Sequence, residues 1–556
     1  MECTQKLISE GKHTVFLTRV KKTEACKNAE GEDQTGQEEV VEKIQKRHGS
    51  MAPRGTLRKG RVISSTSTST QEEKGRGKRI LGVYGEIEVN GGTYLVYVEE
   101  HRKVGELQGH FVYEALSCGS ICIDGLCDPY VKGMIEEFFK IPGLYFSECG
   151  LAHIGANCSE NTDFIYNYIP LSKFRQSHPH ASEFGIELVQ GYVGAEMLTG
   201  KVDARCTLVS RRSWRNAGTR YYARGSDPNG DAANTVETLL IAEAQGKEYE
   251  FMQCRGSIPL LWEQKIDLSY KPPVKMGNTD LSKHLFMKHL GVLQKRYGDY
   301  FFINLLDEKG HEKELGVEFV RFLKESGCGY LSVDYHRMMK SAEKKAEFKQ
   351  NLKKALKNKC IIRTNCVDCL DRTNVVQSQL SKIRLVELLS LQEMAKDGSV
   401  LDIDDYLNEL SIKKLGQLWN NNANMLSMQY TGTSALKNDL TEHGVRTIKG
   451  LIQDAISSGK RYVNNNFTDG RMQEIIEIVT GVRTYLGNCI RGDRRLGTYF
   501  ILCFIAAVLA YAQYSTRAGN AVLLCALVLL PSMMTRFLSL PSPRKHPIAK
   551  KEDKRA

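Results

Sequence analysis

The stretch CIIRTNCVDCLDRTN (residues 360–374) constrains this chain more than any other part of it. Cys360–Ile362 is an apolar run that closes a lysine-rich segment and reads as a strand, while VVQSQLSKIRLVELLSL from Val375 onward carries apolar residues at helical spacing. Between them five residues separate Cys366 from Arg372, and Thr373 follows. A loop leading from a strand into a helix N-terminus turns several backbone N–H groups into one concavity and adds the helix dipole, which makes a seat for a phosphate dianion. Elsewhere strands such as Cys206–Ser210 alternate with helical segments such as Ser282–Tyr297 and Gly316–Glu325. The expected frame is therefore an α/β catalytic domain built on a C-x5-R-T loop.

The field that holds a phosphate also stabilises a thiolate, so Cys366 is expected to ionise near neutrality and act as a nucleophile. Arg372 can clamp equatorial phosphate oxygens through two N–H groups, and Thr373 can donate its hydroxyl to the sulfur. A leaving alkoxide needs a proton, for which Asp368 and Asp371, both inside the loop, are the candidates. Val367, Cys369 and Leu370 complete the loop and count among the expected substrate contacts. Arg220 and Arg224 join them from the basic stretch Arg211, Arg212, Arg220 and Arg224. A bare C-x5-R arises by chance in a chain with 16 Cys. Cys366 and Cys369 also form C-x-x-C, the pattern of half a zinc site or a redox pair. No second C-x-x-C stands at a suitable spacing, so no metal site is expected.

At 556 residues the chain is too long for one ordinary domain, and 41% hydrophobic with 26% charged residues excludes a wholly disordered, collagenous or polytopic membrane protein. The net charge of +12 is modest for this length, and no zinc finger, basic zipper or RNA-binding signature accompanies it. Nucleic acid is not an expected partner; an anionic membrane surface is. The N-terminal MECTQKLISEGK has charges and no apolar run of the signal-peptide kind, which predicts a reduced, cytosol-facing bulk. Residues 23–75 are polar and include SSTSTST; strands are expected at Thr14–Val20 and Arg61–Ser69, with a flexible insert over about 23–60 between them. From Ile80, ILGVYGEIEVNGGTYLVYVEE reads as a hairpin turning at Asn90-Gly91-Gly92. The expected division is a β-rich N-terminal subdomain over 1–170 and the catalytic domain over 171–487.

The chain's end differs in kind. Thr498–Tyr514 (TYFILCFIAAVLAYAQY) is uncharged, Ser515–Asn520 is a short polar turn, and Ala521–Met534 is uncharged again. This predicts a transmembrane helical hairpin over 498–538, joined by a juxtamembrane linker at 488–497 and followed by a basic cytosolic tail at 539–556. At about 1.5 Å per residue the first segment is ~26 Å long, a little short of a ~30 Å hydrocarbon core, so the pair either spans twice or dips in as a wedge. Arg491, Arg494 and Arg495 before it, and Arg544, Lys545, Lys550, Lys551, Lys554 and Arg555 after it, put both ends in the cytosol.

RTNCVDCLDRTN closely resembles the active-site loop of the Sac-domain phosphoinositide phosphatases. SRRSWRNAGTRYYARG (Ser210–Gly225), QCRGSIPLLW (Gln253–Trp262), YFFINLLDEKGHEKELG (Tyr300–Gly316), WNNNANMLSMQYTGTSALK (Trp419–Lys437) and NNFTDGRMQ (Asn465–Gln473) are similar to that family's other blocks, in the family's order. The resemblance covers roughly residues 80–487. It implies a β-rich N-terminal subdomain, an α/β catalytic one, and a lipid phosphatase acting on monophosphorylated phosphatidylinositol, chiefly the 4-phosphate. It further implies a metal-independent reaction with no cofactor, a phosphocysteine intermediate, and residence in endoplasmic reticulum and Golgi membranes. Carried over, Cys366 is the nucleophile, Arg372 the clamp and Asp371 the favoured acid. Asn216 stands before Ala217 where the family has Arg, with Arg215 displaced by one. The rival from another class is a catalytically inactive phosphoinositide-binding scaffold at membrane contacts, against which the intact Cys366, Arg372 and Asp371 speak.

Overall fold

The computed structural model describes residues 78–155, 162–338, 341–357, 360–390, 406–443 and 447–486, together with Ile403 and the strands between residues 3 and 45. The expected strand Arg61–Ser69, the linker at 488–497, the hairpin at 498–538 and the basic tail lie outside the described residues. Among the described residues no helix is long and apolar enough to cross a membrane.

A four-stranded antiparallel sheet opens the chain in the order Gln37–Gln45, Thr14–Lys22, Cys3–Glu10, Lys78–Ile80. Thr14–Lys22 contains the expected strand, but Gln37–Gln45 corrects the reading of 23–60 as an insert. Its charges disguised it. An edge strand needs apolar residues only on its inner face, and here Ile44 is buried opposite Val15 while Lys43 is exposed. The predicted hairpin is present as Gly82–Val89 and Gly92–Val98. Asn90 and Gly91 both take positive φ, 51° and 79°, as a two-residue turn matched to strand twist requires.

The main body is one ten-stranded sheet. Its order is His101–Leu107, His110–Ala115, Leu144–Ser147, Val189–Leu198, Ala204–Arg212, Val236–Ala244, Lys247–Arg255, Ile361–Asn365, Tyr300–Asn304, Tyr330–Ser332. Strands from both sides of residue 170 share it, so the sheet itself has no seam there. The first seven strands run antiparallel and the last three join in parallel. Parallel pairing demands long crossovers, and the chain supplies helices for them: Lys313–Glu325 between Tyr300–Asn304 and Tyr330–Ser332, then Ala342–Leu356 before Ile361–Asn365. Lys313–Glu325 buries Leu315, Phe319, Phe322 and Leu323, a stripe at helical spacing. Crossovers cover parallel strands on both faces, and accordingly Ile362, Thr364 and Asn365 are all buried.

Candidate active site

Lys247–Arg255, Ile361–Asn365 and Tyr300–Asn304 end side by side, and crevices in such sheets open beyond the carboxyl ends of parallel strands. Each end contributes to one place. Cys366 follows Asn365 directly; Gly256 O accepts the Cys369 thiol at 2.7 Å; Leu305 O accepts from Arg372 Nη1 at 3.1 Å. The helix after the loop is Asp371–Ser390, starting four residues earlier than its apolar spacing implied. Polar Asp371, Arg372, Thr373 and Asn374 hide the first turn from a periodicity reading, although an Asp at that position suits the helix dipole.

Cys366 is buried, and its sulfur accepts the Cys369 backbone N–H at 2.9 Å and the Thr373 hydroxyl at 3.5 Å. The left-handed φ of Cys369, 52°, accompanies the turn that brings that N–H back onto the sulfur. Burial pushes the Cys366 thiol up, but hydrogen bonding from Cys369, the Arg372 charge and the Thr373 hydroxyl outweigh it and bring the thiol down from 9.0 to about 6. Cys369 goes the other way: burial and its hydrogen bond and charge interaction with Cys366 hold it well above 9.0. The pair is therefore one thiolate and one thiol. Buried Arg255 lies close enough to feel that charge, buried Arg363 lies near Cys369 and Cys254, and among the described residues neither meets a carboxylate. Arg255 donates to Asn374 Oδ1 at 3.4 Å, and Arg363 to Ser257 O at 2.9 Å and to Asn365. Burial draws Arg255 down to about 10 against the charges of Cys369 and Cys366. The reading of the sequence passed over both; for Arg363 the available signal was an Arg inside a short strand of buried residues.

The two arginines expected at the substrate both hold the loop, and Arg220 also lines the cleft. Arg220 grips both oxygens of Asp368, at 3.0 and 2.6 Å, and Arg224 donates to Asp368 Oδ1 at 2.7 Å and to Val367 O at 2.8 Å. Burial opposes the Asp368 charge, yet the two guanidinium groups win and hold the carboxyl well below the usual range. The two ion pairs favour the Asp368 carboxylate, which sets it against the part of general acid. Asp371 accepts the Leu436 N–H at 2.6 Å and Arg461 at 2.9 Å. Arg372 donates to Glu312 at 2.8 and 3.0 Å and to Asp307 at 3.3 Å. Arg461, Glu312 and Asp307 were not anticipated, because 60 to 90 residues separate them from their partners. The rest of the basic stretch faces inward: Arg211 pairs with Glu237 at 2.8 Å, and Arg212 binds Gln190, Asn234 and two backbone carbonyls. Arg215 pairs with Asp163, and Asn216 with the backbone of Asp231.

Cys366, Val367, Asp368, Asp371 and Arg372 line a cleft of about 380 Å³. Cys369 and Leu370 have buried side chains and are not among the residues lining it. Six cations (Arg220, Lys271, Lys309, Arg372, Lys437, Arg461) face four carboxylates there, a balance suited to an anionic ligand. Among the described residues no group of His, Cys, Asp or Glu could hold a metal ion.

A cysteine at the carboxyl ends of parallel strands, walled by arginines, is an arrangement suited to an anionic ligand. A model of the SacI homology domain matches residues 81–340. Phosphoinositide phosphatase SAC6 of Arabidopsis thaliana is 33% identical over 453 residues, 73% of this chain and 75% of its own. Phosphatidylinositol-3-phosphatase SAC1-B of Danio rerio is 32% identical over 452 residues (72% and 76%), and phosphatidylinositol-3-phosphatase SAC1 of Saccharomyces cerevisiae is 29% identical over 459 (72% of each). The chain belongs to the Sac-domain phosphoinositide phosphatases, a family whose substrates are phosphoinositide lipids.

Proposed function

We propose that this chain hydrolyses phosphatidylinositol monophosphates, chiefly the 4-phosphate, to phosphatidylinositol and inorganic phosphate through a phosphocysteine. The observation that carries the reading is the setting of Cys366: a sulfur lining the cleft, with two hydrogen-bond donors and its thiol near 6. The thiolate attacks phosphorus, the S–P bond forms, and the P–O bond to inositol breaks. An arriving dianion competes with Glu312 for Arg372 and with Asp371 for Arg461. Asp371, released by Arg461 and still accepting the Leu436 N–H, is the acid in this reading and passes a proton to the leaving oxygen. Water then gives a proton to the Asp371 carboxylate and attacks the phosphocysteine, the S–P bond breaks, and Thr373 donates to the departing thiolate. Arg220 and Arg224 position the loop through Asp368. The reaction needs no metal, because Arg372 and Arg461 supply the charge a cation would.

In this reading the apolar pair at 498–538 tethers the enzyme in endoplasmic reticulum and Golgi membranes, with the catalytic domain and tail in the cytosol. The zebrafish and yeast relatives are named as 3-phosphatases, which favours the 3-phosphate as the second substrate. The test is phosphate release by the full chain in detergent from short-chain phosphatidylinositol 3-, 4- and 5-phosphates in EDTA, beside Cys366→Ser. Release that survives chelation, favours the 4-phosphate and vanishes in the variant supports the proposal. EDTA-sensitive release rules out the nucleophile, and folded, lipid-binding protein without release leaves the scaffold reading.

A further inference from the structure

The helix Ile448–Val463 is amphipathic in the inverted sense for a helix on a water-facing surface. Its inner face carries Ser457 and Arg461, buried and polar, with Arg461 bound to Asp371. Its outer face carries Ile448, Leu451, Ile452 and Ile456, which are 80%, 53%, 59% and 50% exposed. With the exposed Ala455 they form one stripe at helical spacing. Among the described residues nothing covers it.

The position of the cleft says what does. Ser458, Arg461 and Tyr462 of the same helix line the cleft together with Cys366. At 3.6 residues per turn their row lies roughly 90° around the helix from the stripe, so a flat surface touching the stripe also runs past the cleft wall. Lys449 and Lys460, both exposed, stand on the opposite flank of the stripe. Lys271, Lys309 and Lys437 stand in the cleft lining, and the Tyr462 hydroxyl holds Leu268 O at 2.9 Å, beside the 60% exposed Tyr270. An apolar stripe bordered by lysines, with an exposed Tyr nearby, is the pattern of a helix lying in the plane of an anionic bilayer. Sixteen residues, about 24 Å, do not span one.

We infer that the outer face of Ile448–Val463 beds into the surface of the substrate's own bilayer and seats the cleft at headgroup level. This rests on the cleft taking a phosphoinositide. The bed is separate from the tether at 498–538: the tether fixes the distance from the membrane, the stripe fixes the orientation.

The test uses the full chain reconstituted in vesicles of phosphatidylcholine and phosphatidylserine. Ile452→Trp adds a fluorophore to the three tryptophans present, whose background is measured on the unaltered protein. Bromine on the acyl chains is expected to quench at least about half of the added emission. A blue-shifted but unquenched Trp means that residues 498–534 or a second copy cover the stripe, and an unshifted one that water does; either overturns the inference. In parallel, Leu451→Asn/Ile452→Asn/Ile456→Asn is expected to keep turnover of water-soluble dibutanoyl phosphatidylinositol 4-phosphate within about twofold while turnover of long-chain substrate in vesicles falls at least about tenfold. Equal loss on both substrates, or loss on neither, overturns it too. If the unaltered protein fails to turn over the soluble substrate, the reading of the cleft falls, and the fluorescence arm still decides whether the stripe meets lipid.

Discussion

Replacing Thr373 by Val deletes the hydroxyl that donates to Cys366 at 3.5 Å while keeping a β-branched side chain of the same shape in a buried position. The Cys366 thiol has moved from 9.0 to about 6, roughly 4 kcal/mol in favour of the thiolate at 1.36 kcal/mol per pH unit. A hydroxyl donating to a charged acceptor is worth about 1.5–3 kcal/mol at good geometry, and at this length the lower end, one pH unit, is the reasonable share. The hydrogen bond stabilises the charged form, so its loss raises the midpoint to ~7. At pH 6 the thiolate fraction then falls from ~1/2 to ~1/10, and alkylation slows about fivefold; at pH 8 both proteins stay at least ~9/10 ionised and differ little. The assay is the rate of Cys366 alkylation by iodoacetamide between pH 5 and 9, followed on the Cys366 peptide by mass spectrometry so that other cysteines do not intrude. A midpoint that moves by less than half a pH unit refutes the hydroxyl's part in activating the sulfur. Downward movement refutes the sign.

Four further outcomes follow from the same geometry. Arg255→Met removes a buried cation that the thiolate balances and raises the same midpoint; an unmoved midpoint refutes its electrostatic role. Glu312→Gln loosens the hold on Arg372 and tightens inorganic phosphate binding about 3- to 10-fold by calorimetry, whereas weaker binding would mean Glu312 positions the clamp productively. Asp368→Asn leaves Arg220 and Arg224 uncompensated and costs about 3–5 kcal/mol in chemical unfolding. Because the folded Asp368 carboxyl lies below its unfolded value, its contribution is complete above about pH 4 and lost as the solution is acidified through the folded value, so the variant's deficit shrinks only in acid.

Much of the frame could be read from short windows. Asn90-Gly91 reports a turn needing two positive φ values, and the apolar run before Cys366 with the helical spacing after Val375 reports strand, loop and helix. Gln37–Gln45 escaped because pairing with Thr14–Lys22, rather than its own composition, makes it a strand. The tether at 498–538 is a statement about the sequence alone, since it lies outside the described residues.

What the amino-acid order determined by itself is the chemistry on offer: a cysteine, an arginine and two carboxylates within one turn of chain, at a strand-to-helix junction where anions bind. Which carboxylate meets which arginine was decided only in three dimensions. Arg220 and Asp368 are 148 residues apart, and Arg461 and Asp371 are 90 apart. Backbone propensity, capping and turn preference act over a handful of neighbouring residues, whereas the partner of a long charged side chain depends on where the whole sheet and its crossovers deliver it. That is why the residue types of the site could be named from the chain, while the division of labour among its arginines had to come from the fold.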